Sequence, residues 1–504
     1  MTLTGFYLRF ADVLDWSANT RLLALARALL SDLLAGVTDI VPGYVNLYLE
    51  FDSERVSRAK VERWLRRHMQ ELPERREGKQ VEIPVRYDGP DLPWVAAQTG
   101  LTVEDVIRLH SLQQYRVFAT GFTPGFPFLG PLDVRLGLPR RTSPRSSVPA
   151  HSVAIAGGQS GIYPLPSPGG WHLIGTALTP VYNPHRDPPI LLEAGDGVRF
   201  VPSCGETPAV PTERSLLPSE PRSPVLRVEQ PGLLDLVMDR GRRMTGRFGL
   251  AASGVLDQRS AGFANRLVGN PARAPLLELT LNGPILSVLS SVVAAFAGYG
   301  MSPQVNGQPV TGAQAFALRK GDVLSFKPTR EGVRGYLALA GGIESEVFWG
   351  SASTDVNGRV GWALQAGDVL GLEEPRMARA GLGFAQQVPS LKRIRLLAGP
   401  QYSLEAMRAL CAAPFELVSG DRMGLRLSGP EVPGGELISE ATPLGAVQIT
   451  TQGQPIVLLS DRGRIGGYAK PAQVHPADLP WLAQLRPGQK VWFIASGSGV
   501  GVVS

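Results

Sequence analysis

Four stretches of this 504-residue chain close in the same way: Gly195-Asp196-Gly197-Val198-Arg199-Phe200, Gly321-Asp322-Val323-Leu324-Ser325-Phe326, Gly367-Asp368-Val369-Leu370 and Gly488-Gln489-Lys490-Val491-Trp492-Phe493. In each, a turn opens a run with alternating apolar residues, the period of a half-buried strand. Two of the four extend backwards into a longer likeness. Residues 149–155 (PAHSVAI) with Gly158-Gln159 resemble residues 443–449 (PLGAVQI) with Gly453-Gln454, and Gly169-Gly170-Trp171 then matches Gly466-Gly467-Tyr468. A near-constant separation across three landmarks implies two copies of one β-barrel. The chain holds 58 Gly and 43 Pro, so turns are frequent, and short strands between frequent turns build barrels or sandwiches.

The first ninety residues have a different texture. Residues 6–13 read as a strand, 20–34 as a helix behind an Asn19 cap, and 39–51 as a hairpin broken at Pro42-Gly43. Val56, Val61, Trp64, Leu65, Met69 and Leu72 recur at helical spacing, and Val81, Ile83 and Val85 alternate as a closing strand. The order βαββαβ predicts an α+β, ferredoxin-like unit over residues 1–88. A barrel is expected over 89–204, entered by a helix that Thr102 caps through Asp105. A Pro/Ser-rich linker at 205–224, a second barrel at 225–375, a linker at 376–390 and a third barrel at 391–504 complete the mainly-β remainder.

Composition removes several function classes. Hydrophobic residues make up 43% and charged residues 19%, enough for several cores and too apolar for disorder. Lys+Arg 50 against Asp+Glu 44 leaves +6 without runs of like charge, which argues against nucleic acid and anionic membrane as partners. Cys204 and Cys411 make no disulfide framework or zinc spacing, and no run reaches the ~18 apolar residues of a membrane span, so a cytoplasmic protein is expected. There is no GxxxxGK[ST], HExxH or GxSxG motif, no metal site is expected, and no Met-Lys-Met segment marks a biotin attached to this chain.

The positive signals are Gly-rich and polar. Residues 121–130 (GFTPGFPFLG) set aromatic rings among turns, where backbone can approach a small ligand or simply pack rings onto a barrel. Arg140, Arg141 and Arg145 supply forks for carboxylate or phosphate oxygens, or a solvated surface. His151 opens an alternating run towards Gln159, Tyr163 and Trp171 and is a candidate general acid or base, or a structural histidine. Asp239 and Asp257 are the other candidate catalytic groups, set in turns with Ser253 and Asn265 as a site for an amide would need, although Asp also serves turns for its own sake. Ser353 and Thr354 offer hydroxyls to an oxyanion. Arg422, Gln454, Tyr468 and Lys470 belong to the densest basic and carboxylate stretch and complete the candidate substrate-binding set.

At these motifs the chain resembles a known family. Residues ~90–203, with GFTPGFPFLG and AHSVAIAGGQSGIYPLPSPGGW, are similar to the B subunit of 5-oxoprolinase, and residues ~225–504, with SGVLD, GSASTD, DRMGLRL and DRGRIGGYAKPAQVHPADLPWL, to its C subunit. This family takes in allophanate hydrolase subunits and the carboxyltransferase-like domains of urea amidolyase. The resemblance implies a B–C fusion with a ferredoxin-like domain and cyclophilin-like barrels. It implies ATP-dependent opening of 5-oxoproline to glutamate with a separate A-type subunit, with ATP and magnesium as cofactors and a small lactam or amide as substrate, and it is compatible with a homo-oligomer. The alternatives are a carboxyltransferase component of a biotin-dependent urea or amide carboxylase, and an interaction protein such as a histidine-kinase inhibitor. The chain departs from the family pattern at Met238, His151, Ala352 and Gly463, and several of these changes strip donors from candidate loops.

Overall fold

The computed structural model describes residues 3–72, 78–310, 312–384, 393–496 and 501–503. The chain opens with β1 (Leu3–Arg9), α1 (Trp16–Ser31), β2 (Val37–Pro42), β3 (Asn46–Asp52) and α2 (Arg58–Gln70). Leu22, Leu25 and Leu29 of α1 and Val61 and Trp64 of α2 bury against Phe6, Ile40, Leu49 and Phe51 of the sheet. The cap of α1 is Asp15, whose carboxylate accepts the Ala18 N–H at 2.6 Å. Asn19, expected as the cap, lies inside the helix and donates to the carbonyls of Tyr44 (2.8 Å) and Phe118 (3.2 Å), joining sheet to barrel.

The sixth element, β4 (Gln80–Arg86), departs from the ferredoxin-like expectation. The N-terminal sheet runs β2-β3-β1, and the edge beside β1 is filled in parallel by Gly501–Val503. Strand β4 instead enters a closed seven-stranded barrel, parallel to Gly197–Pro202 and antiparallel to His172–Ala177. The reason is the alternation that marked it as a strand. Ile83 and Val85 are both 0% exposed, and they point into a core with Val117, Val153, Ile155 and Val198. Helix Val103–Leu112 covers this barrel, with Thr102 accepting the Asp105 N–H at 3.1 Å as the sequence predicts.

Residues 205–223 form neither helix nor strand and run against the middle unit, where the Arg214 N–H donates to the Arg359 carbonyl. The middle unit, expected as a barrel, is two six-stranded sheets that share one core. Leu226, Val228 and Leu324 of one sheet meet Leu277, Phe296 and Leu337 of the other. Its last strand, Gly383–Phe384, pairs with residues 313–314 inside the stretch expected as the second linker; 385–390 lie outside the described residues.

The last unit is an eight-stranded sheet that closes where Arg393–Ala398 pairs with Ile465–Val474. Its pairing repeats the first barrel. Ala446–Ile449 lies between Pro455–Leu458 and Ile465–Val474 as Ser152–Ala156 lies between Gln159–Ile162 and His172–Ala177. Lys490–Ala495 runs parallel to Arg393–Ala398 as Gly197–Pro202 does to β4. The duplication read from sequence is thus a duplication of topology, and the two copies face each other across a shared cleft.

Candidate functional site

A cleft of about 660 Å³ opens between the two barrels. Phe122, Phe126, Phe128, Arg140, Tyr163 and Trp171 line the first wall. The rings are locked edge to face: Phe126 lies 5.1 Å from Tyr163 and 5.7 Å from Trp171 between centroids. Gly169 makes room for them, because a Cβ there would fall 2.3 Å from the Tyr163 hydroxyl. Phe122 holds a left-handed backbone at φ 65, a strained conformation that only the surrounding packing maintains.

The second wall comes from the third unit. Residues 419–426, Leu437, Gln448 and the segment 462–468 contribute to it, with Tyr468 at the end of that segment. The walls meet at Gly121, where a Cβ would lie 2.2 Å from Ile465. Arg140 and Arg426 are exposed on opposite walls and form no ion pair among the described residues. Arg462 is buried, and burial, with Arg464 beside it, pushes its guanidinium pKa down to about 10. Burial also moves the Tyr163 phenol up to about 12, so it stays a neutral donor.

Of the sixteen residues singled out in the sequence, Tyr163, Trp171 and Tyr468 line the cleft. The others lie outside it. Arg141 and Arg145 donate to Asp91 at 3.4 and 2.7 Å, and Gln159 accepts the Tyr44 hydroxyl at 3.0 Å. His151 lies under Tyr163, its N–H on the Tyr163 carbonyl at 2.6 Å, and burial lowers its pKa, so the ring is neutral and shielded. Asp239 accepts the hydroxyls of Ser351 (2.5 Å) and Ser353 (2.6 Å) and the Ala352 N–H (2.9 Å), and Thr354 donates to the Val237 carbonyl. The hydroxyls read as an oxyanion cradle therefore serve a loop. Asp257 caps Gln258–Leu267 and accepts from Gln484 at 3.0 Å; burial raises its pKa. Asn265 donates to the Ala274 carbonyl, and Gln454 bridges the N–H and carbonyl of Gly429. Ser253 is buried in a left-handed turn. Arg422 is buried between carboxylates, and Lys470, 0% exposed, pairs with Glu440 at 2.9 Å.

Arg140 stands in the basic stretch and Arg462 in the basic and carboxylate stretch read from the sequence, whereas Arg426 was passed over. For Arg426 a signal existed: Leu425 and Leu427 alternate inward, which leaves the residue between them on the outer face. Among the described residues no group of three or more His, Cys, Asp or Glu is arranged to hold a metal ion.

Comparison with known proteins places this architecture. Residues 1–192 match the model for carboxyltransferase domain subdomains C and D, and residues 248–495 the model for subdomains A and B. The molecule is thus a carboxyltransferase-domain protein with both pairs of subdomains in one chain. It is 41% identical over 203 residues to the 5-oxoprolinase B subunit of Escherichia coli O157:H7, covering 40% of this chain and 92% of that one. It is 33% identical over 281 residues to the 5-oxoprolinase C subunit of Escherichia coli K12, covering 54% and 91%. The chain belongs to the family of 5-oxoprolinase B and C subunits and carries both in a single polypeptide. The crystal structure of TTHA0988 has a TM-score of 0.94 at 54% identity, covering 98% of this chain and all of that one. The Kluyveromyces lactis urea amidolyase structure is similar at a TM-score of 0.50 and 29% identity over 55% of this chain and 19% of that one.

Proposed function

We propose that the chain is the joined B and C component of an ATP-dependent 5-oxoprolinase, which opens 5-oxoproline to glutamate with a separate A-type subunit. One observation carries the reading: the chain covers 92% of a B-type relative and 91% of a C-type relative, and its cleft lies between those two halves. The lactam is stabilised by amide resonance. ATP supplies a phosphoryl group to the lactam oxygen, which makes the ring carbon electrophilic towards water; glutamate, ADP and phosphate result.

The side chains of the cleft fit such a substrate. A five-membered ring is small and flat, suited to the slot beside Phe126, Tyr163 and Trp171, and its carboxylate needs a fork such as Arg140 or Arg426. The same two exposed guanidinium groups are the donors here for ATP phosphates, and magnesium would arrive with them. The neutral Tyr163 hydroxyl and the Gly466-Gly467 backbone, bare of side chains, suit the lactam amide. His151 bears on this site through Tyr163, whose carbonyl accepts its N–H, whereas Asp239 and Asp257 hold loops outside the cleft. The urea amidolyase likeness extends over 53% of this chain, whereas the two 5-oxoprolinase subunits match 40% and 54% of it and between them give both halves a role, which favours the oxoprolinase over a urea carboxyltransferase. Among the described residues no helix is long and apolar enough to cross a membrane, and a cytoplasmic setting fits the reading.

The test is to combine the purified chain with its cognate A-type partner, 5-oxoproline and ATP, and to follow glutamate and ADP. Glutamate that depends on all four is the expected result. ADP without glutamate, or silence where separately encoded B and C subunits are active, would overturn the reading.

A further inference from the structure

Residues 462–468 supply much of the second wall, but Arg464 turns away from the cleft. Its guanidinium enters the N-terminal sheet and pairs with Asp39 of β2, the two side chains 2% and 5% exposed. The Nε and Nη1 atoms of Arg464 are buried and have no hydrogen-bond partner among the described residues, so Asp39 alone balances this charge. Arg462 reaches the same sheet, 3.9 Å from Glu50 of β3, while its Nε donates to the Thr442 carbonyl at 2.6 Å. Arg464 cannot seek water without dragging Gly463 and Ile465, which line the cleft.

Asp39 also governs the opposite wall. Its carboxylate accepts the Gly246 N–H at 3.1 and 3.3 Å. The turn Gly246–Phe248 holds the aromatic loop: the Phe248 carbonyl accepts the Gly125 N–H at 2.8 Å, and the Arg247 carbonyl accepts the Thr120 hydroxyl. Phe122 and Phe126 stand in that loop. One buried carboxylate therefore lies behind both faces of the site.

We propose that Asp39, supported by Glu50, is a positioning residue for the cleft: a carboxylate of the B half fixes the wall contributed by the C half and sets the gap between the walls. The kinetic part of its test rests on the oxoprolinase reading; the structural part does not. Spin labels go on cysteines introduced at Ser147 and Val418, exposed in the first and the third unit, in a Cys204→Ser, Cys411→Ser background. The parent is expected to give one narrow distance. Asp39→Asn is expected to broaden or shift it and to raise KM for 5-oxoproline at least tenfold with kcat within threefold. Glu50→Gln should act in the same direction but less, and Glu82→Gln, which breaks an exposed ion pair, should change neither readout. A folded Asp39→Asn with the parent's distance and KM overturns the proposal. Should Asp39→Asn fail to fold, the double variant Asp39→Leu, Arg464→Met removes both buried charges; a broadened distance there supports the proposal and the parent's distance overturns it. If the parent makes no glutamate, the oxoprolinase reading fails and the distance measurement still decides on Asp39.

Discussion

Arg422 grips Asp461 with two prongs, Nε to Oδ2 at 2.8 Å and Nη2 to Oδ1 at 3.1 Å, while its Nη1 pairs with Glu278 of the middle unit. Its Nη2 also donates to the Gly254 carbonyl at 2.7 Å. The pair lies behind the cleft: Asp421 and Met423 flank Arg422, Arg462 follows Asp461, and all three line the second wall. Removing the cation strands two buried carboxylates, which costs far more than an exposed pair would. Arg422→Met is expected to lower unfolding free energy by about 3–5 kcal/mol, measured by urea denaturation. Arg395→Met, which breaks a partly exposed pair with Asp478, should cost about 1 kcal/mol or less.

Those residues show what the sequence made legible. Repeated turns and alternating runs announced two like barrels, because backbone pairing follows a local period of two. Alternation also marked β4 as a strand, but which sheet received it depended on contacts of Ile83 and Val85 with residues as distant in the chain as Val117 and Val198, and no local pattern carries that. The site divided the same way. Arg422, Asp239 and Lys470 were conspicuous as polar residues among glycines, and they are conspicuous because buried charges need such partners. Arg426, which faces the cleft, looks like an ordinary surface arginine until two barrels are set wall to wall.

Histidine 110 gives a pH test. Its Nδ1 meets the Tyr87 hydroxyl at 2.8 Å and its Nε2 the Ser160 hydroxyl at 2.9 Å, and burial lowers its pKa to about 3. The unfolded chain takes up that proton near pH 6.5 while the folded one does not, so the contribution is complete above pH 6.5 and shrinks as pH falls towards 3. At pH 5 the loss is about 2 kcal/mol. Urea titrations at pH 8, 6 and 5 should show this decline in the parent, and His110→Gln should be less stable at pH 8 but flatter across the range.

Aspartate 235 has the opposite sign. It is 1% exposed, its Oδ2 accepts the Gly232 N–H at 2.6 Å and no other hydrogen bond among the described residues, and burial raises its pKa to about 7. The folded chain keeps this proton where the unfolded chain loses it near pH 4, so stability falls as pH rises from 4 to 7 and levels off above. Asp235→Asn keeps the acceptor and removes the charge. It is expected to leave stability unchanged at pH 4 and to raise it by about 2–4 kcal/mol at pH 8, read from denaturation midpoints at the two pH values.

On the proposed reading, Arg140 and Arg426 are the two exposed guanidinium groups of the cleft open to the substrate's carboxylate. Both are exposed and without an ion pair among the described residues, so replacing either by Ala removes no buried contact and should leave the thermal midpoint within error of the parent. A lost charge-assisted hydrogen bond costs about 1.5–3 kcal/mol, which is about a 10- to 150-fold rise in KM for 5-oxoproline. The arginine that holds the carboxylate should show that rise with kcat nearly unchanged, because the contact is made equally in ground and transition states. The arginine nearer the phosphates should instead raise KM for ATP. Initial rates with each substrate varied in turn separate the two, and unchanged constants in both variants would remove the substrate from this cleft.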